Sequence, residues 1–315
     1  MGIAGAARTL TALVACAGLA GVSALPAGAE TPLYGLTVDR IPHPVSKLTH
    51  ALAALPRRPT TRVYFEVDAP ASAYLSALEQ IHPVSAVMGE LLDSSDERSI
   101  STEAFQARTQ SYLQTLSGDV DIWEVGNEVN GNWTGPYETV AAKLTEAYED
   151  VAAAHGVSAL TLYANQFGPD HCGDGEAELT PLEFSERYVP PAVADGLDYV
   201  LLSYYPSECG GRKPSAAEVA VAMEALHALY PDAALGFGEV GLPHPASART
   251  KREAEAIMSW AYSLEPGEAG GLGALPYYIG GYFWWYGWED ALKPHAHLAA
   301  ALPAAFEDEA AALEG

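Results

Sequence analysis

The sequence predicts a single α/β domain with the architecture of a (β/α)8 barrel, also known as a TIM barrel. Short apolar strands alternate with helix-forming segments, and eight such units fit into about 285 residues, a usual size for this fold. Hydrophobic residues make up 49% of the chain, enough for one large core, and neither a linker nor an internal repeat divides it. A doubly wound open sheet is the second candidate, but no glycine-rich phosphate-binding loop follows the first strand.

Each predicted strand is a short apolar run, and each is followed by a loop and a segment with helical periodicity. The strands are predicted at 33–38, 62–67, 84–88, 121–125, 160–164, 197–204, 233–239 and 281–285. Helices are predicted at 46–55, 70–80, 102–116, 137–154, 181–188, 216–229 and 251–264, with a further one in the alanine-rich C-terminal stretch. Barrel enzymes keep their chemistry at the C-terminal ends of the strands, so the residues there are the candidates for function.

The first 29 residues are predicted to be a secretory signal peptide, and residues 30–315 to form the barrel. Arg8 is the only charged side chain in this segment, residues 10–25 are apolar, and small residues at 27–29 match a signal-peptidase site. The protein is therefore expected to be secreted. A lipid anchor on Cys16 is the alternative, but only seven residues separate Cys16 from Arg8, which is short for the apolar region. No later stretch is apolar over the roughly 20 residues of a membrane helix, so no membrane association is expected after signal removal.

The composition is strongly acidic, with 41 aspartate and glutamate residues against 16 lysine and arginine residues and a formal net charge of -25. A chain of this charge repels nucleic acid and anionic membrane surfaces, so neither is expected as a partner. The acidic side chains are scattered and lack the spacing of a calcium-binding loop. We interpret them as a solvated surface that favours solubility, and we expect the protein to be a monomer.

Of the three cysteines, Cys16 belongs to the predicted signal peptide, and Cys172 and Cys209 remain in the mature chain. In an exported protein such a pair is predicted to form a disulfide, which here would join the loops after the fifth and sixth strands. His171 next to Cys172 could instead indicate a metal, but two thiols and one histidine without regular spacing are a weak signal. We therefore expect no metal and no cofactor.

The clearest functional signal lies in residues 121–133, with the sequence DIWEVGNEVNGNW. The fourth strand delivers Asn127 and Glu128 at its C-terminal tip, and the seventh strand delivers Glu239 in the same way. Glycosidic cleavage needs two carboxyl groups, one to protonate the leaving oxygen and one to attack the anomeric carbon or activate water. A glutamate is more often only a surface charge. The placement of Glu128 and Glu239 after apolar strands, on opposite sides of a barrel mouth, favours a catalytic pair instead.

Residues next to the two glutamates suit the same chemistry. The Asn127 amide could donate to the sugar hydroxyl beside the reacting carbon, with a turn-forming asparagine as the simpler reading. A glycine lies just before each glutamate and is expected to let a substrate approach closely.

Aromatic residues end the sixth and eighth predicted strands and are candidates for substrate binding. Tyr205 is expected to hydrogen-bond Glu239 and keep it ionised, and Tyr204 takes this place if the strand is displaced by one residue. Trp284 and Trp285 could each stack on the apolar face of a sugar ring or belong to the core, and the sequence leaves both readings open.

Four short motifs, WEVGNE (123–128), SYYP (203–206), GE (238–239) and FWW (283–285), resemble those of glycoside hydrolase clan A. Members of this clan are retaining β-glycosidases on a (β/α)8 barrel. The motifs look most like those of endo-β-1,4-galactanases, with cellulase-like members second. The resemblance implies that Glu128 is the acid/base, Glu239 the nucleophile and Tyr205 the residue that holds the nucleophile. It also implies a β-linked glycan substrate, cleaved by double displacement without a cofactor.

One feature departs from the pattern of the clan, many members of which carry an arginine at the end of the second strand, near the nucleophile. Here Arg62 begins the predicted second strand, whereas Glu66 and Asp68 lie at its end. Glu124 has the same strand parity as Glu128 and is expected to be buried one layer below it.

Two other classes of function remain open at this stage. A catalytically silent carbohydrate-binding barrel would keep the aromatic residues but lose a carboxylate, and a surface interaction protein would use the acidic character alone. Both glutamates are present, which favours the enzyme. The retaining mechanism further predicts that the carboxyl groups of Glu128 and Glu239 lie ~5–5.5 Å apart.

Overall fold

Eight parallel strands close into a barrel in the structure, a computed structural model that describes residues 32–168, 170–172, 178–265 and 271–314. The strands are β1 (Leu33–Val38), β2 (Thr60–Tyr64), β3 (Ala86–Glu90), β4 (Ile122–Gly126), β5 (Val157–Tyr163), β6 (Tyr199–Tyr204), β7 (Ala234–Val240) and β8 (Gly280–Trp284). Each pairs with the next and β8 closes on β1, so the predicted TIM barrel is confirmed. The predicted signal peptide, residues 1–29 with Cys16, lies outside the described residues.

Helices cover the outside of the barrel. They are α1 (Ser46–Ala53), α2 (Leu75–Ile81), α3 (Thr102–Leu116), α4 (Tyr137–Ala153), α5 (Pro181–Tyr188), α6 (Pro191–Ala194), α7 (Ala216–Leu229), α8 (Lys251–Tyr262) and α9 (Ala301–Leu313). The helices α3, α5 and α7 match the predicted bounds at both ends, because Ser101, Thr180 and Ser215 cap their first turns with side-chain oxygens. Within the described residues, no helix combines the length and the apolar character needed to span a membrane.

The second and third strands lie at other positions than predicted, and this changes which residues face the interior. The structure begins β2 at Thr60, so Arg62 is its central residue rather than its first. The prediction left out two threonines, although β-branched residues favour strands, and the Thr61 hydroxyl is buried 2.7 Å from that of Ser85. The third strand ends at Glu90 instead of residue 88. Arg62 and Glu90 therefore both belong to the wall of the barrel.

The interior of the barrel is filled by an apolar layer and, above it, a polar layer. The apolar layer consists of Leu33, Met88, Ile122, Ala159, Tyr199, Leu201, Ala234, Ile279 and Phe283. Side chains two residues further along a strand point to the same face. At that spacing Glu90, Glu124 and Thr161 follow apolar residues of β3, β4 and β5, and all three are buried. Glu124 is thus buried in the barrel, as the sequence predicted.

The predicted disulfide between Cys172 and Cys209 is confirmed, with Cα atoms 4.9 Å apart. Cys172 follows a two-stranded hairpin, formed by Gln166–Phe167 and Asp170–His171, that the sequence did not predict. The bond joins this segment, after β5, to the loop after β6. Both loops emerge from C-terminal ends of strands, so the disulfide braces one side of the barrel mouth.

Candidate active site

The tip of β4 holds Glu128 in a buried position and an uncommon backbone conformation. Its φ is 46°, a left-handed value that a residue with a side chain adopts only when its surroundings enforce it. The two carboxyl oxygens accept hydrogen bonds from different serines, Oε1 from Ser203 Oγ at 2.5 Å and Oε2 from Ser94 Oγ at 3.0 Å. These serines come from β6 and from the loop after β3. The carboxyl group is therefore fixed by two elements besides its own.

The neighbouring Asn127 has one end of its amide fixed and the other end free. Its Oδ1 accepts a hydrogen bond from the Ser94 backbone N–H at 3.0 Å, which sets the orientation of the side chain. Its Nδ2 is buried and has no hydrogen-bond partner among the described residues. Because a buried donor without a partner is unfavourable, this nitrogen is a good candidate to donate to a ligand.

Glu239, near the end of β7, is held by one neutral donor and one cation. The Tyr205 hydroxyl donates to Oε1, and the Arg62 guanidinium donates through Nη1 to Oε2 at 2.9 Å. Arg62 is fully buried, and Glu239 is 5% exposed. The expectation that Arg62 lies away from the nucleophile candidate is therefore wrong. It was wrong because it placed Arg62 at the first position of β2 rather than at the third.

Of the two tyrosines proposed from the sequence, Tyr205 turns to the mouth and Tyr204 turns away from it. The expected hydrogen bond from Tyr205 to Glu239 is present. The Tyr204 hydroxyl donates instead to the backbone carbonyl of Arg212 at 2.9 Å, and its ring packs against Phe167. Tyr204 therefore belongs to the packing between barrel and helices, and we remove it from the substrate-binding candidates.

Of the two tryptophans at the C-terminal end of β8, Trp284 likewise turns away from the mouth, and Trp285 turns to it. The Trp284 indole N–H donates to Asp290 Oδ2 at 2.9 Å, and the ring is 2% exposed. This is a core residue and not a sugar platform. Trp285 is half-buried, and its ring centroid lies 5.3 Å from the Arg62 guanidinium carbon. Trp285 is thus the tryptophan that is available to a ligand.

A cleft with a volume of ≈ 360 Å³ brings the candidate residues together. It is lined by Glu128, Trp133, Tyr205, Glu208, Glu239, Pro243 and Trp285. Trp285 also lines a second cavity of ≈ 210 Å³, together with Asp39, Arg40, Tyr64, Glu66, Asp93, Ser95 and Tyr286. A wider groove of ≈ 830 Å³ between α8 and α9 contains neither of the two glutamates. The cleft and the cavity beside it are therefore the candidate active site.

Sequence reasoning missed several residues of this site. Ser203 stands in the SYYP motif beside the tyrosine, but a buried serine gives no signal of its own. Ser94 lies in the polar loop after β3, where a serine has no distinguishing pattern. Glu208 accepts a hydrogen bond from the Tyr163 hydroxyl at 3.2 Å, and the Tyr163 ring contacts that of Trp133 edge-on. Contacts between separate loops such as these have no local sequence pattern that could reveal them.

The expected role of the glycines is also corrected. A side chain at Gly126 would meet Val129 at 2.7 Å, which is core rather than cleft, and one at Gly238 would meet Thr161 at 2.6 Å. Both glycines therefore allow close packing within the fold. Substrate approach is not the reason for either.

Burial raises the pKa of both glutamates, but their neighbours act in opposite directions. Burial raises the pKa of Glu128 well above its usual value, and the charge of Glu239 raises it further, against the hydrogen bond from Ser203. Burial raises the pKa of Glu239 and outweighs the lowering by Arg62 and by the Tyr205 hydroxyl, so that it lies at about 7. Glu128 therefore holds its proton more tightly than Glu239 does.

No family model and no curated protein sequence matches the chain. Among solved structures, it is similar to a family 1 β-glucosidase from Thermotoga maritima, with a TM-score of 0.51 and 10% identity over 76% of this chain and 75% of that one. It is also similar to a structure of plant β-glucan endohydrolases with distinct substrate specificities, with a TM-score of 0.52 and 16% identity over 80% of this chain and 90% of that one. The chain therefore has the barrel fold of the clan A β-glycosidases that its motifs resemble.

Proposed function

We propose that the protein is a secreted, monomeric glycoside hydrolase that cleaves β-glycosidic bonds of an oligosaccharide or polysaccharide with retention of configuration. Glu128 is the acid/base and Glu239 is the nucleophile. The observation that carries the proposal is the pair of buried glutamates in one cleft, of which Glu239 alone contacts a cation among the described residues, at 2.9 Å from Arg62. Two carboxyl groups with unequal proton affinity are what a double displacement requires.

In the first step, the Glu239 carboxylate attacks the anomeric carbon while Glu128 gives its proton to the leaving oxygen. The bond between the anomeric carbon and the leaving oxygen breaks, and an ester forms with Glu239. Asn127 Nδ2, which has no hydrogen-bond partner in the described part of the chain, is suited to donate to the hydroxyl next to the reacting carbon, a contact that strengthens as the transition state forms. Trp285 offers an aromatic face to the sugar ring.

In the second step, esterification has removed the charge of Glu239, and with it one cause of the raised pKa of Glu128. Glu128, having lost its proton, now accepts one from an incoming water. The water attacks the anomeric carbon from the side that the leaving group vacated. The ester bond breaks, Glu239 regains its negative charge, and Arg62 and Tyr205 again stabilise the carboxylate.

The substrate is proposed to be a β-linked glycan that extends beyond one sugar. Trp285 lines two cavities, of ≈ 360 and ≈ 210 Å³, so the site extends beyond the cleft that holds the two glutamates. The similar solved structures are a β-glucosidase and β-glucan endohydrolases, which supports β-glucans as test substrates beside the β-1,4-galactans that the motifs suggest. Secretion is supported by the apolar N-terminal segment and by the disulfide.

The experiment that tests this proposal is hydrolysis of a panel of β-glycans, followed by NMR on the first product of the best substrate. We expect the β-anomer first, because two inversions restore the starting configuration. An α-configured first product would overturn the retaining mechanism, and it would fit carboxyl groups ~6.5–9.5 Å apart with a water between them.

A catalytically silent carbohydrate-binding barrel is the outcome if no member of the panel is cleaved. Glu239→Gln, which removes the proposed nucleophile, serves as the matched control and is expected to bind the best substrate without cleaving it. Equal and zero turnover by both proteins, with binding retained, would replace the enzyme by the binding protein.

A further inference from the structure

Beneath the cleft, four strands direct charged side chains into one buried layer, which we call the arginine cluster. Its members are Arg62 of β2, Glu90 of β3, Glu124 of β4 and Glu239 of β7. Arg62 and Glu90 are fully buried, and Glu124 is 1% exposed. In the proposed reaction only Glu239 forms a bond. The other three members are ionisable groups kept out of water, and burying such groups in charged form has a considerable free-energy cost.

The guanidinium of Arg62 contacts each glutamate of the cluster through a different nitrogen. Nε donates to Glu124 Oε2 at 2.7 Å, Nη1 donates to Glu239 Oε2 at 2.9 Å, and Nη2 lies 3.1 Å from Glu90 Oε1. Because the guanidinium is planar and rigid, fixing Nε also fixes the direction in which Nη1 points. The orientation of the group that holds the nucleophile thus depends on Glu124.

The charges of the cluster do not balance if all three glutamates are ionised. One guanidinium against three carboxylates leaves two net negative charges within a layer that is almost entirely buried. Like charges at short range in a buried site cannot all persist, so one carboxyl group keeps a proton. With one proton bound, the remaining net charge is the single negative charge that a nucleophile needs.

Hydrogen bonding indicates which glutamate carries the proton. Glu124 accepts from Thr161 Oγ1 at 2.5 Å as well as from Arg62, and Glu239 accepts from Tyr205 as well as from Arg62. Such donors favour the ionised form. Neither oxygen of Glu90 accepts a hydrogen bond from the described residues, although Oε1 lies 3.1 Å from Arg62 Nη2.

On balance, burial and the charged groups around Glu90 also favour its protonated form. Burial raises its pKa well above the usual value, Arg62 lowers it, and the negative charges of Glu124, Asp93 and Glu239 raise it again. The charged groups that shift the pKa of Glu90 thus come from three other strands, β2, β4 and β7, and from the loop after β3.

We infer that Glu124 is a positioning residue that holds Arg62 against the nucleophile, and that Glu90 is a neutral carboxylic acid that completes the charge balance. The inference deepens the proposed function and rests on it, because it takes Glu239 as the nucleophile. Glu124 shares the positive charge of Arg62, so Glu239 remains ionised without losing all of its basicity. Glu90 fills the third side of the guanidinium without adding a second unpaired negative charge.

Two isosteric variants, Glu124→Gln and Glu90→Gln, form a matched test. The acid limb of the pH profile of kcat/KM reports ionisation of the nucleophile in the free enzyme. Glu124→Gln removes a like charge from the neighbourhood of Glu239, so this limb is expected to move down by about one pH unit. The kcat is expected to fall about tenfold with little change in KM, because a carboxamide holds Arg62 less firmly. Glu90→Gln replaces a neutral group by a neutral group, so the acid limb is expected to stay in place.

Equal shifts of the acid limb in both variants, or a shift in Glu90→Gln alone, would overturn the inference. Thr161→Val is a milder second variant, since it removes only the hydroxyl that holds Glu124. It is expected to lower kcat about threefold at constant KM, and an unchanged kcat would contradict a positioning role for Glu124.

An infrared measurement tests the charge assignment without any turnover. A protonated buried carboxyl group gives its own C=O stretching band. At neutral pH the difference spectrum between the unmodified protein and Glu90→Gln is expected to show the loss of one such band, and that for Glu124→Gln is not. The reverse pattern would overturn the inference. If no glycan is cleaved at all, the proposed function fails, but this spectrum still decides the protonation of the cluster.

Discussion

Two regions of the barrel that each bury more than one glutamate differ in what surrounds the carboxyl groups. The arginine cluster surrounds one guanidinium with three glutamates below the cleft. The second region, which we call the tyrosine cluster, packs two glutamates among phenol rings near the start of β8; its members are Glu265, Glu309, Tyr262, Tyr278 and Tyr282. Among the described residues, the groups that shift the pKa of Glu265 and Glu309 most strongly include no cation.

The tyrosine cluster shows what burial does to a carboxyl group without a positive partner. Burial raises the pKa of Glu265 to about 8 and that of Glu309 well above its usual value. Glu309 Oε1 accepts from the Gly281 backbone N–H at 3.2 Å, and the Tyr278 and Tyr282 hydroxyls lie 2.5 Å apart. We interpret this region as a neutral, structural one. The comparison teaches that Arg62 is what makes one buried glutamate available as an anion.

The largest expected effect separates the two clusters directly, because the same substitution is made in each. Glu239→Gln is expected to lower kcat on the order of 10⁵-fold, since an amide is not a nucleophile. Glu309→Gln replaces a neutral acid by a neutral amide and is expected to keep kcat within about twofold. Rates on the best glycan, with circular dichroism to show that both variants fold, make the comparison. Similar losses in both variants would remove the distinction.

Replacing Glu128 by alanine is expected to have an effect that depends on the leaving group. An unactivated glycan needs a proton on the leaving oxygen, and its cleavage is expected to slow 10²–10⁴-fold. A nitrophenyl glycoside has an acidic leaving group, so formation of the glycosyl-enzyme is expected to be nearly unaffected. Burst kinetics with both substrates measure this step. Equal losses on the two substrates would show that Glu128 is not the acid.

Removing a tyrosine hydroxyl is expected to lower activity beside Glu239 but only stability in the tyrosine cluster. Tyr205→Phe removes the neutral donor to Glu239 and is expected to lower kcat about 10- to 100-fold, since a hydrogen bond to a charged group contributes ~1.5–3 kcal/mol. Tyr278→Phe removes the bond to Tyr282 and is expected to lower only the free energy of unfolding, by ~1 kcal/mol. Steady-state kinetics and urea denaturation of both variants give the result. An equal loss of kcat in Tyr278→Phe would contradict the structural reading of its cluster.

The prediction with the smallest expected effect on turnover concerns the pH dependence of stability. The pKa of Glu265 is about 8 in the folded protein, above its usual value of 4.5, so the folded state binds the proton more tightly than the unfolded state. Its contribution to stability is therefore complete below pH ~4.5 and is lost as the pH rises to ~8, at up to ~1.4 kcal/mol for each pH unit. Glu265→Gln is expected to flatten the pH dependence of the unfolding free energy in this window. An unchanged pH dependence would mean that Glu265 is ionised in the fold.

Much of the fold could be predicted from the sequence because its signals are local. Strand periodicity and helix periodicity repeat eight times, and α3, α5 and α7 begin at residues whose own side chains cap them. The pair Glu128 and Glu239, with Tyr205 beside it, could also be singled out, since each lies at the end of an apolar strand. Their catalytic roles stay predictions until they are tested.

The arginine cluster could not be predicted, because its partners are far apart in the chain and depend on strand register. Arg62 lies 62 residues from Glu124 and 177 residues from Glu239. A shift of two residues in the predicted start of β2 was enough to separate Arg62 from the site. For a related reason the sequence kept Tyr204 as an alternative to Tyr205, which the structure confirms, and left the choice between Trp284 and Trp285 open. Strand parity decides both choices, and parity is known only once the last paired residue is known.

The central claim is that Glu239 attacks and Glu128 transfers protons, and azide rescue with NMR of the products tests it most directly. In Glu239→Ala, azide can enter the space of the missing nucleophile and attack a β-glycoside once, which predicts an α-configured glycosyl azide. In Glu128→Ala, azide replaces the water that attacks the glycosyl-enzyme, which predicts a β-configured glycosyl azide and a faster second step. Products with these two configurations exchanged would contradict the assignment of the two glutamates.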